Sequence, residues 1–197
     1  MTQKAILLFA VFLSVHCKDI TDVKFNELSD DYILIEDANV LLKPVDGIYK
    51  TKQFAGMSDE TGWINVTVDR LFLPYEKAVS ELSKKNLLMK EIKRKDIKKI
   101  VLNTGLATMI EGVERKDGQE YKRFTLIMPA DKNYTVVING TYPLYFAHLD
   151  EKDTDQKLKN IILSAIYTDD AEILGKVRQS AEFPSDAITV DKTKGKP

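Results

Sequence analysis

The sequence predicts an α+β domain in which helices cover a central antiparallel β-sheet. Three observations lead there. From Leu87 to Tyr142, apolar and β-branched segments follow one another at short intervals, with Asp117-Gly118 and Asp131–Asn133 supplying turn chemistry between later members. A helix is expected before this run and another after it, the second with its apolar residues on one stripe. No internal repeat or second composition regime interrupts the chain, so helices and meander belong to one domain. Of the 197 residues, 44% are hydrophobic and 30% charged, which supplies a core and argues against disorder.

Residues 1–16 read as an address rather than as fold. Lys4 precedes Ala5–Val15 (AILLFAVFLSV), an apolar run of eleven residues. A membrane-spanning helix needs roughly 20 such residues, so the run has the dimensions of a secretory signal peptide. Its end, Leu13-Ser14-Val15-His16-Cys17, resembles the lipobox of bacterial lipoproteins, although His16 stands where that pattern has a small residue. The resemblance implies lipidation at Cys17, a membrane partner reached through several acyl tails, and a cell-envelope location, periplasmic or outer surface. Plain secretion with cleavage after Cys17 is the alternative. Three N-x-T triplets, at Asn65, Asn133 and Asn139, would suit a secreted, N-glycosylated eukaryotic protein.

Residues 17–31 are polar apart from Val23, Phe25 and Leu28 and read as a lipidated tether with room for one short strand. The domain is expected over 32–183. Tyr32–Ile35 and Val40–Leu42 are short apolar strands, followed by a Pro44–Gly47 turn. Trp63–Val68 alternates in period two. Pro74 suits the first position of a helix that carries Tyr75, Ala78, Val79 and Leu82 on one face. Leu87–Ile92, Lys99–Leu102, Leu106–Glu114, Tyr121–Met128 and Tyr134–Tyr142 are the expected strands of the meander. Leu158, Ile161, Ile162, Ala165 and Ile166 form the helical stripe, with Asp153 and Gln156 at capping-box offset. A last helix over Ala171–Ala181 is stopped by Pro184, and 184–197 is a polar tail.

The residue inventory narrows the chemistry. One Cys excludes an intrachain disulfide, and one Cys with two His cannot make a four-ligand Cys/His zinc site. No G-x-G, G-K-[ST] or S-x-x-K motif occurs. Gly56–Glu60 begins like a nucleophile elbow without its closing glycine, and a serine hydrolase would need His148 as its base. Asp30/Asp31, Asp59/Glu60, Glu111/Glu114 and Asp169/Asp170 leave a two-carboxylate hydrolase as an alternative, with Trp63 the sole tryptophan for a sugar cleft. No catalytic, cofactor-binding or metal-binding residue is assigned, and no cofactor is expected.

Charge is concentrated in one place. The chain carries −1 overall, which argues against an obligate nucleic-acid partner. Between Lys84 and Lys99, however, eight basic residues stand against Glu91 and Asp96. Lys90, Lys93, Arg94, Lys95, Lys98 and Lys99 form a basic patch with two readings. It is a solubilising edge whose lysines guard a strand, or it meets an acidic protein partner or anionic headgroups.

Four stretches together are similar to the PsbP/Mog1/DcrB-like superfamily, in particular its small bacterial envelope lipoproteins. They are Ala38–Gly56, Glu60–Pro74, Thr104–Met128 and Tyr134–Thr168, a resemblance of pattern order over about 32–168. It implies an α/β/α sandwich around a central antiparallel sheet and a non-enzymatic binding or accessory role; it carries over no catalytic residue. The expected function is therefore a non-catalytic envelope lipoprotein that presents a small binding domain.

Overall fold

The structure, a computed structural model, describes residues 20–83, 92–145 and 149–180. In chain order its strands and helices are β1 (Ile20–Val23), β2 (Ile33–Ile35), β3 (Val40–Leu42), β4 (Tyr49–Lys50), β5 (Gly56–Ser58), β6 (Asn65–Leu71), α1 (Tyr75–Ser83), β7 (Ile92–Leu102), β8 (Gly105–Lys116), β9 (Gln119–Pro129), β10 (Thr135–Pro143), α2 (Glu151–Leu163), β11 (Ile166–Tyr167) and α3 (Ala171–Ser180). The fold is α+β.

An eight-stranded sheet runs β1-β7-β8-β9-β10-β6-β5-β4. Every neighbouring pair in it is antiparallel except β1 with β7, which is parallel, so the sheet is mixed rather than purely antiparallel. The β8–β9 connection takes the form its sequence suggests: Asp117 and Gly118 both have positive φ, 52° and 81°, as a two-residue hairpin requires.

Period-two alternation sorts the two faces. On one, Phe124, Leu126, Met128, Val136, Ile138, Val66 and Val68 pack with Leu158, Ile161 and Ile162 of α2. On the other, Ile110, Ile127 and Val137 receive Ala78 and Leu82 of α1. A second sheet, β11-β3-β2, lies on the α2 side: Ile35, Val40 and Leu42 join the main core, while Leu34 and Leu41 face Leu174 and Val177 of α3. All three residues of β3 are buried because both of its faces are covered.

Several boundaries differ from the sequence reading. The α2 cap is Asp150, whose carboxylate accepts from Lys152 N (2.9 Å) and Asp153 N (3.2 Å), and not the Asp153–Gln156 box. Gln156 instead donates to Asn160, and Asp153 pairs with Lys157. The stripe ends early: Ser164 turns its hydroxyl back to Ile161 O and accepts from Lys43 N, so Ile166 enters β11 rather than the helix. The strand expected at Trp63 begins at Asn65, since Asp59 accepts from Ile64 N (2.8 Å) and closes a turn ahead of it. Lys99–Leu102 is only the end of β7, and the strand expected at Leu87–Ile92 lies outside the described residues but for Ile92. Residues 17–31 are not wholly free of the fold, because β1 joins the sheet and Lys24 N donates to Val101 O at 2.8 Å.

Candidate functional site

The basic patch is carried by β7. Between Arg94 and Asp96 the register with β8 slips, leaving Lys95 unopposed in a bulge. Only the final part of β7, from Lys99 to Val101, is paired with β1. Among the described residues the half before it has a strand on one side alone, and Lys93 and Lys98 are exposed there, as is Lys99 at the start of the paired part. Lys98 lies 3.0 Å from Asp96, whose hydrogen bond holds the Asp96 carboxyl below its ordinary value. On the next strand, Arg115 and Lys116 extend past the start of β7 and are exposed. Lys90, Cys17 and His148 lie outside the described residues.

A second charged group braces the sheet to α2. Lys122, 7% exposed, donates to Glu111 and lies 3.6 Å from Asp155; Lys159 lies 3.4 Å from the other Glu111 oxygen. Tyr142 donates its hydroxyl to Asp155 at 2.7 Å. Both ammonium groups sit over the Phe124 ring, 5.2 and 4.8 Å from its centroid. Burial pushes the Glu111 carboxyl up, but the Lys122 hydrogen bond and charge, with Lys159, outweigh it and hold it below the usual value. Burial, followed by the Asp155 hydrogen bond, raises the Tyr142 hydroxyl. Beside this brace, a cavity of about 280 Å³ opens between β7 and α2, lined among others by Asp22, Asp96, Lys98, Glu111 and Lys159.

The carboxylate pairs noted in the sequence are separated or engaged. Glu111 and Glu114 fall on opposite sheet faces: Glu114 accepts from Arg123 Nη1 at 2.7 Å, while Arg123 Nη2 and Nε reach Asn139 (2.8 Å) and Thr125 (3.2 Å). Asp31 is paired with Lys43 at 2.6 Å. Asp170 accepts from Glu172 N and Ile173 N at the start of α3, and Asp169 accepts from Tyr167 and Asn39. Ser58 donates to Asp59 O (3.1 Å). Asn139 is buried and accepts from both Arg123 and Thr125, so its triplet has no room for a glycan in the folded domain; Asn133 is exposed.

The brace had one signal in the sequence. Lys122 occupies the same alternation as Phe124, Leu126 and Met128, so a lysine stands at an inward position. Its partners on β8 and α2 come from other parts of the chain.

No family model matches the chain, so the resemblance to the PsbP/Mog1/DcrB-like superfamily has no support from one. No curated protein matches it by sequence. Among solved structures, LpqN of Mycobacterium tuberculosis, involved in cell envelope biogenesis, aligns with a TM-score of 0.46 at 15% identity, covering 64% of this chain and 81% of LpqN. A protein of Bacteroides thetaiotaomicron VPI-5482 aligns with a TM-score of 0.41 at 10% identity, over 66% of this chain; this chain covers 45% of that one. Among the described residues, no helix is long and apolar enough to cross a membrane.

Proposed function

We propose that this chain is a bacterial cell-envelope lipoprotein, anchored through Cys17, whose α+β domain acts as a non-catalytic binding or accessory module. The observation that carries the reading is the join between address and fold. An apolar run of signal-peptide length leads to the sole cysteine, and β1 begins three residues later. A lipid attached there would bring the sheet close to the membrane. A non-catalytic role is supported by the side chains that acid–base chemistry would use: Glu111 and Glu114 serve ion pairs on opposite faces, and Asp59, Asp150 and Asp170 organise turns and helix starts.

Incorporation of a labelled acyl chain into the full-length protein in a bacterial host tests the anchor. The label should appear on the wild type, which should sediment with membranes, and both properties should vanish in Cys17→Ala. Label retained by Cys17→Ala would overturn anchoring at that residue.

A further inference from the structure

We infer that the first half of β7 is a docking surface for anionic phospholipid headgroups, in the membrane leaflet that the anchor enters. The inference rests on the proposed anchor at Cys17 and names what the basic patch meets. Its basis is the direction of β1. Because β1 runs parallel to β7, both strands start at the same end of the sheet. Ile20 stands opposite Lys99, so the chain leading back to Cys17 departs from the end at which β7 begins. Three residues span at most about 11 Å, and β7 from Lys99 back to Lys93 covers about 20 Å. An antiparallel β1 would have sent the anchor toward the other end of the sheet.

The β7–β8 corner of that end is basic. Within Lys93–Lys99, five of seven residues are basic, and Asp96, the one acid, is engaged by Lys98. The neighbouring end of β8 adds exposed Arg115 and Lys116; of the acids there, Glu114 is taken by Arg123, Asp117 stands at the hairpin tip and Glu120 of β9 stands opposite Arg115. The chain as a whole is at −1, so the patch is a local concentration. Edge protection explains lysines on a strand that, among the described residues, is open on one side, but not their position at the end that leads to Cys17. Electrostatic attraction to a charged bilayer fades within about 8 Å at physiological salt. Only charges kept near the surface feel it, and the short link to Cys17 keeps these near.

The test uses the full chain with Cys17→Ser, so that no acyl chain contributes to binding. Co-sedimentation compares phosphatidylcholine vesicles with vesicles in which about one third of the lipid is phosphatidylglycerol. Binding to the anionic vesicles alone is expected, weakening steeply as salt rises from about 0.05 to 0.5 M. Adding Lys93→Glu, Arg94→Glu and Lys95→Glu should weaken it at least about tenfold. Lys50→Glu, Lys52→Glu and Lys132→Glu together, at or after β4 on the opposite edge of the sheet and in the β9–β10 loop, should leave it unchanged. Equal binding to both vesicle types, none to either, insensitivity to salt, or equal loss from the two triple variants would each overturn the docking surface. The vesicle and salt comparisons need no charge variant, so they decide the matter even if one fails to fold. Acyl label without selective vesicle binding removes the docking surface and leaves the anchor; selective binding without label does the reverse.

Discussion

At the scale of single residues, two glycines and one buried pair set how closely the layers approach. A Cβ on Gly56 would lie 1.9 Å from the carbonyl oxygen of Val66, and its φ of 156° is unfavourable for any side chain. The residue that opened a would-be nucleophile elbow is there to let β5 approach β6. Gly56→Ala should destabilise the domain by about 3 kcal/mol in chemical denaturation. Gly140 does the same for α2, since a Cβ there would meet Ile162 Cδ1 at 2.7 Å and Leu158 Cδ2 at 3.2 Å. Glu111 gives the buried pair a pH signature. Its folded-state pKa is below the value in the unfolded chain, so the stability it contributes is present above about pH 4.5 and lost as pH falls further. Midpoints of thermal unfolding should therefore fall more steeply below that pH for the wild type than for Glu111→Gln. Parallel curves would mean that the brace does not hold the carboxylate ionised. Other carboxylates, Asp31, Asp96 and Asp169, are held low too, which is why the difference between the two curves is the quantity to read.

At the scale of elements, legibility followed length. β8, β9 and β10 span nine to twelve residues, enough for several full periods of alternation, and the sequence locates each to within a few residues. β4 and β11 have two residues each and β5 three; a period of two cannot declare itself in such pieces. They exist because an edge is there to pair with: β6 for β5, β5 for β4 and β3 for β11. Two members of the second sheet, β2 and β3, are legible as short apolar strands, but their pairing with β11, more than 120 residues further on, is not. Ile166 continued the helical stripe in sequence, yet a serine hydroxyl decided the helix end. The cap was misread because several acids crowd Asp150–Asp155 and only backbone geometry selects Asp150. Asp150→Ala should therefore cost about 1 kcal/mol. Asp153→Ala should cost less, because it loses an exposed pair with Lys157; equal losses in urea titration would restore the capping box.

At the scale of the whole molecule, the charge of the basic run was plain in the sequence and its place was not. Lys93 to Lys99 declare themselves by composition, but which end of the sheet they occupy relative to the start of β1 follows from a parallel pairing across nearly eighty residues of chain. The Arg123–Asn139 contact was illegible likewise, since two adjacent strands bring it together only once their register is known. Asn26 secures the long-range arrangement. Its amide donates to Leu163 O at 2.8 Å, satisfying a carbonyl at the end of α2, and its backbone exchanges hydrogen bonds with the Asn103 side chain. Asn26→Ala should lower stability by about 1 kcal/mol and speed amide exchange at Lys24, which donates to Val101 O, well before exchange in β9 or β10 rises. A uniform rise across the sheet would show that the N-terminal strand is not a separate unit.

The parallel β1 also has a mechanical consequence. A pull applied to Ile20 along the strand axis loads the β1–β7 hydrogen bonds together in shear rather than peeling them one at a time. The Asn26 clamp lies beyond those bonds on the same line of force. A domain held this way resists a pull on its N-terminal strand better than three paired residues would suggest, and pulling from the N-terminus should give a sharp rupture that Asn26→Ala lowers.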